Sequence, residues 1–203
     1  MRQTVLILAL LGGVFGGIAA AQESPHARTP ATLATPEPVE KRAAAPHTEA
    51  LRFASEKVSV RVPLGWRLLP VGEKKTGILA TLSPANNTGA TLSLAFSVDA
   101  GRNKLPDNLP ATIATALGQR YPGFRQTAKQ RFTLAGSDAW QLDGHVKPVG
   151  QSVVIKNRQV YVCHQGRIYI TTLTCKKEDF ERLTPSMDQF LKSIKWLDEP
   201  LEK

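Results

Sequence analysis

The chain has little cysteine, few aromatics and no assembled catalytic motif. Two cysteines in 203 residues, Cys163 and Cys175, leave no Cys-x-x-Cys pair, and the four histidines form no His-x-x-x-His spacing, so zinc-site patterns are missing. Gly136-Ser137-Asp138 lacks the flanking glycine of a nucleophile elbow. Aromatic residues make up 6% of the chain and are not interleaved with basic clusters, which argues against nucleic-acid recognition. There is no alternating βαβα rhythm, no internal repeat, and no apolar run long enough to span a bilayer. From these gaps we expect no catalytic, cofactor-binding or metal-ligating residue, and a protein that is not an enzyme.

The longest apolar run is Val5 to Ile18. It follows a single basic residue, Arg2, and leads into Ala19-Ala20-Ala21, the small-residue pattern of signal-peptidase cleavage. Residues 1–21 therefore read as an export signal. Gly12, Gly13, Gly16 and Gly17 dilute the run, which is shorter than the roughly 20 apolar residues of a spanning helix; an uncleaved anchor is the alternative. No cysteine stands just after the cleavage site to accept a lipid, and no arginine pair precedes the run. The expected location is periplasmic or extracellular, with no membrane span once the signal is removed.

Residues 22–50 are rich in Pro, Ala and Thr and poor in large apolar side chains. Such a stretch cannot bury enough surface to offset its ordering entropy, so it reads as a disordered tether. Four of the 26 basic residues (Arg2, Arg28, Lys41, Arg42) and four of the 17 acidic ones (Glu23, Glu37, Glu40, Glu49) precede Leu51, so the net charge of +9 belongs to the chain from Leu51 onward. A basic exported domain meets acidic envelope proteins, anionic lipid heads or anionic polymers. Its expected partner is an envelope protein or an anionic envelope component.

The domain is expected over 51–198, with a tail at 199–203. Lys57 to Val62 alternates at period two, and Thr76–Leu82 and Ala90–Val98 flank the turn residues Ser83 to Gly89 as a hairpin. Asn86-Asn87-Thr88 matches a glycosylation sequon, although turn chemistry explains it. Asn108 followed by Leu109-Pro110, then Ile113, Leu117 and Tyr121 at helical spacing, predicts a helix over 108–121 that ends at Pro122-Gly123. Strands follow at 127–133 and 137–146. A long strand over 152–164 then turns through Gln165-Gly166 into 167–175. From Lys176 to Trp196, Phe180, Leu183, Met187, Phe190, Leu191 and Ile194 form one helical stripe, with Pro185 predicting a kink or a restart capped by Thr184.

Three stretches carry a resemblance. They are Pro63-Leu64-Gly65-Trp66 at a strand end; Arg158-Gln159-Val160-Tyr161-Val162 with Gly166-Arg167-Ile168-Tyr169-Ile170-Thr171; and the last helix with Phe180, Phe190 and Ser193. Together with the element order, they resemble the PsbP-like superfamily, which includes the photosystem II extrinsic protein, DcrB-type envelope proteins and Ran-binding Mog proteins. The resemblance implies an α+β domain with a central antiparallel sheet flanked by helices on both faces. It also implies a non-enzymatic binding or accessory role with no cofactor.

Two further readings stay open. One is a carrier of an apolar or lipid ligand in a pocket between helix and sheet. The other is a hydrolase using Asp143 and His145, which lie two apart on one face of a strand and so can meet as an acid/base pair. Cys163 and Cys175 are expected to remain buried thiols without a disulfide: across a Gln165-Gly166 turn Cys163 faces Ile168, while Cys175 lies seven residues further, about 23 Å along the strand. A disulfide needs α-carbons within about 7 Å. The Pro63-Gly65-Trp66 cluster reads as an architectural corner, with a ligand-gripping aromatic as the alternative.

Overall fold

The computed structural model describes residues 49–70, 77–86, 88–98 and 103–197. The export signal, nearly all of the tether and the tail lie outside these residues. In chain order the elements are β1 (Ala50–Phe53), β2 (Val58–Arg61), β3 (Trp66–Leu68), β4 (Ile78–Pro84), β5 (Thr91–Val98), α1 (Leu109–Arg120), β6 (Arg125–Leu134), β7 (Ser137–Val146), β8 (Ile155–His164), β9 (Arg167–Lys176), a short 3₁₀ turn (Lys177–Asp179), α2 (Phe180–Lys192) and β10 (Lys195–Trp196).

The main sheet has seven strands in the order β3-β4-β5-β9-β8-β7-β6, and its neighbours pair antiparallel. Its centre is the β8–β9 hairpin, in which Cys163 faces Ile168 and His164 faces Arg167 across Gln165-Gly166. Both turn residues have positive φ, 45° and 70°, as a two-residue type I′ hairpin requires. The β6–β7 hairpin repeats this geometry with Ala135 (φ 47°) and Gly136 (φ 77°).

Alternation along the central strands sends residues into two separate cores. Val160, Val162, Tyr169, Leu173 and Cys175 pack in one with Phe180, Leu183, Met187, Phe190 and Leu191 of α2. Tyr161, Cys163, Ile168 and Ile170 pack in the other with Leu109, Ile113 and Leu117 of α1. The first core is also closed by Val58 and Val60 of β2, which belongs to a second sheet of order β1-β2-β10. Among the described residues, the domain is therefore a sheet-rich, antiparallel α+β fold with two helices. The expectation of helices flanking both faces reduces to this coarser statement, because a small sheet shares the covering.

Three local readings are corrected. The last helix stops at Lys192 instead of reaching Trp196, because Lys195 and Trp196 pair with Ser59 and Val58. Ser193 marks the change: its Oγ donates to the carbonyl of Phe190 and accepts the backbone N–H of Arg61. Pro185 does not split the helix. It and Glu181, whose carbonyl it leaves without an N–H, are not buried, and Thr184 donates its hydroxyl to the Phe180 carbonyl at 2.8 Å rather than capping a restart. Finally, Trp66 does not merely fold over a strand end: it opens β3, opposite Pro84 of β4.

The corner itself is a tight turn. The Trp66 N–H donates to the Pro63 carbonyl at 3.1 Å, and Gly65 takes φ 77° at the position where a type II turn needs glycine. This lays the Trp66 ring into the first core at 9% exposure. At the other end of the sheet, Arg131 on β6 binds both carboxylate oxygens of Asp138 at 2.8 and 2.9 Å, and donates to the Leu105 carbonyl and to Asp107. Asp138 also accepts the Leu105 N–H at 2.8 Å, so this cluster moors the lead-in of α1 to the β6–β7 hairpin.

This packing sets the cost of three substitutions. Trp66→Ala should cost about 3–5 kcal/mol in urea unfolding, the usual range for emptying a buried aromatic site. At Gly144 an added Cβ would lie 2.5 Å from Cζ of Phe124 and 3.1 Å from the Arg125 carbonyl. Gly144→Ala should therefore destabilise by about 1–3 kcal/mol, with partial recovery in a Gly144→Ala/Phe124→Leu double variant. The Arg131 hydrogen bond holds the Asp138 carboxyl below its ordinary value of 3.8. A depressed carboxylate adds stability that is present above that value and is lost as pH falls through the folded-state value. Urea midpoints of the native protein should therefore drop more steeply below pH about 4 than those of Asp138→Asn.

Candidate functional site

Asp143 and His145 occupy one strand, β7, yet they do not form an acid/base pair. Asp143 accepts from Nε and Nη2 of Arg158 on β8, both at 2.8 Å, and each side chain is 15% exposed. The register that sets Asp143 opposite Arg158 sets His145 between Arg125 and Lys156. Both carboxylate oxygens are engaged by the guanidinium, so the contact ties the two strands together. The same bonds push the Arg158 guanidinium above its ordinary value, and its carbon lies 5.3 Å from the centre of the Phe180 ring on α2. The pair joins β7 and β8 beneath that helix.

A second pairing was missed in the sequence. Ser137, the first residue of β7, sits with its hydroxyl 2.7 Å from Nδ1 of His164, the last residue of β8. The signal lay in the two hairpins: a type I′ turn just before Ser137 and another just after His164 bring both residues to one end of the sheet. Ser137 is 6% exposed, and the His164 ring stacks on Trp196 at 4.2 Å, nearly parallel. Trp196 in turn donates its indole N–H to the Ala135 carbonyl. The neighbouring carboxylate, Asp138, is taken by Arg131 and Leu105. Ser137 and His164 thus close the sheet end against β10.

Cys163 and Cys175 are buried and form no disulfide, as their register requires. Burial pushes the Cys175 thiol up to about 12, so it stays protonated and unreactive. Among the described residues no group of three His, Cys, Asp or Glu side chains is placed to hold a metal ion. His26 and His47 lie outside the described residues.

Among the described residues, two concavities stand out. The larger is an open cleft of about 400 Å³ over the Pro63 corner, lined by Glu49 and the run Val62 to Leu68. Leu64 and Leu68 stand at its surface, 64% and 46% exposed, while Trp66 contributes the edge of a ring otherwise sunk in the core. Glu49 and Arg67 supply one charge of each sign. The turn and the buried ring position this surface, part polar and part apolar, and β3, of only three residues, is an edge strand of the main sheet. The smaller concavity, between α1 and the sheet, encloses about 10 Å³, the space of roughly one water.

Comparison with known proteins bears on the whole domain. No protein-family model matches the chain. Over 136 residues it is 28% identical to lipoprotein LpqN of Mycobacterium tuberculosis (strain ATCC 25618 / H37Rv), which covers 64% of this chain; the chain spans 58% of the length of that curated relative. Among solved structures, cyanobacterial PsbP (CyanoP) from Synechocystis sp. PCC 6803 superposes with a TM-score of 0.61 at 12% identity, covering 78% of this chain and 98% of CyanoP. The crystal structure of LpqN, described as involved in cell envelope biogenesis of Mycobacterium tuberculosis, matches at a TM-score of 0.45 and 20% identity, over 73% of this chain and 84% of that one. At such identities a structural likeness speaks of architecture. The chain has the PsbP-like fold.

Proposed function

We propose that this protein is an exported, non-enzymatic binding or accessory module of the cell envelope, and that it takes an apolar segment of an envelope protein in the cleft at the Pro63 corner. The observation that carries the site is the pair of exposed leucines, Leu64 and Leu68, held on a rigid turn around a buried tryptophan. Exposed large apolar side chains grouped on a concave surface mark interaction sites. Export is supported by the apolar leader and its Ala-Ala-Ala end, and the envelope setting by the likeness to LpqN. The excess of basic residues favours approach to anionic envelope surfaces, periplasmic or extracellular. In the same reading, α1 and α2 cover opposite faces of the main sheet, and β3 is one of its two edge strands.

The other two readings draw less support. A carrier of an apolar ligand between helix and sheet needs room, and the space between α1 and the sheet is far below the roughly 300 Å³ at which ligand pockets begin. A hydrolase at Asp143 and His145 needs a free carboxylate, and Arg158 holds both oxygens.

The test is capture from native envelope at low and high salt, comparing the native domain with a Leu64→Asp/Leu68→Asp variant. Val149→Asp serves as control, since Val149 is 88% exposed and lies away from the cleft. An apolar contact should survive high salt, and the double variant should lose the same partner by tenfold or more while its melting temperature and the control are unchanged. Equal capture by all three proteins, or a partner released by salt alone, would sink the assignment of this cleft.

A further inference from the structure

On the α1 side of the main sheet, β8 presents Asn157 and Gln159 where a core strand ordinarily presents apolar side chains. They are 2% and 1% exposed. Cross-strand register continues this polar strip: Thr174 and Thr172 on β9 stand opposite Asn157 and Gln159, and Gln126 on β6 stands opposite Gly144, itself opposite Asn157. The buried residues in the strip carry donors that fold formation leaves unused. Among the described residues, Nδ2 of Asn157, Nε2 of Gln159, Nε2 of Gln126 and Oγ1 of Thr174 are enclosed and have no hydrogen-bond partner. The orientation of Gln159 is set by Tyr161, whose hydroxyl donates to Oε1 at 2.9 Å and so leaves the N–H₂ end free. Buried amides are nearly always paired, because an unpaired one forfeits its hydration; a cluster of several points to a partner that comes from outside.

The three amide side chains line the small cavity between α1 and the sheet. Its other walls are apolar, from Ile113, Leu117, Phe124 and Leu142. No lysine, arginine or histidine lines it, and Asp143, which borders it from β7, turns its carboxylate to the α2 side of the sheet, where Arg158 binds it. With no positive charge to offset the desolvation of an anion, these donors favour a neutral acceptor, and the apolar walls favour a ligand with an apolar body behind that acceptor. We infer that the amides of Asn157, Gln159 and Gln126 form a binding site for a small neutral carbonyl or amide group, which enters between α1 and the β6 edge. The enclosed volume limits the buried part of the ligand to one oxygen and its immediate neighbours. The rest lies against Ala114 and Phe124 at the mouth. This inference is independent of the cleft at the Pro63 corner, which lies near the opposite edge of the sheet.

The probe is N-methylacetamide, with acetate as its charged counterpart, titrated into the ¹⁵N-labelled full chain and followed through side-chain N–H₂ signals. The expected result is a saturable shift of the Asn157, Gln159 and Gln126 signals with N-methylacetamide and none with acetate. Two variants remove the donors without stranding a partner: Asn157→Leu, and Gln159→Met combined with Tyr161→Phe. Each should keep or raise the melting temperature, since the groups removed have no hydrogen-bond partner within the protein, and each should weaken the remaining response at least tenfold. Signals unmoved by the probe, an equal response to acetate, or a fall of several degrees in melting temperature would overturn the inference; the last would mean that the amides are part of the fold's own hydrogen bonding.

Discussion

The structure depends on the β8–β9 hairpin being buried on both sides. A strand offers alternate side chains to opposite faces, so a hairpin with Val160, Val162 and Leu173 on one side and Tyr161, Ile168 and Ile170 on the other requires two covers. On one side α2 and the β1–β2–β10 sheet supply the cover, and on the other α1 does. Long-range ties follow from this demand. Ser193 bonds Arg61, Trp196 pairs with Val58 and stacks on His164, and Arg131 with Asp138 holds the approach to α1. Each brings an element distant in sequence onto a face that the hairpin would otherwise leave wet.

The same two-faced plan places the candidate sites. The face under α1 is apolar where the helix packs and polar where Asn157, Gln159 and Thr174 lie, and these are buried as well. On the face under α2 polar groups are paired: Asp143 with Arg158, and Lys156 with Glu181 at 3.6 Å. At the β3 edge, where the sheet runs out, the Pro63–Gly65 turn holds the exposed leucines beside a buried tryptophan. Asp143, Asp138 and Cys175 are each fixed by a partner or by burial.

Local pattern was enough to find most elements. Period-two alternation and Gly-centred turns located the hairpins, including the Cys163–Ile168 register, and the spacing of Leu109, Ile113 and Leu117 located α1. The short strands β1, β3 and β10 escaped notice, since two to four residues carry too little periodicity and form only because β2 or β4 stands ready to pair with them. The role of Asp143 was out of reach for the same reason: strand alternation shows that it shares a face with His145, but its partner Arg158 comes from the next strand. The unpaired amides of Asn157 and Gln159 were equally hidden, because a glutamine in a strand looks like a surface residue until the helix that buries it is known.

What the sequence alone determined was therefore the set of strands and helices long enough to repeat, the positions of the tight turns, the basic charge, and the resemblance to PsbP-like proteins. These are encoded within a few residues of one another, where backbone preference and periodicity act. Only the tertiary structure decided which polar groups are neutralised, which are left with donors unused, and which leucines stay exposed. Those outcomes depend on contacts between residues far apart in the chain, and no local pattern specifies them.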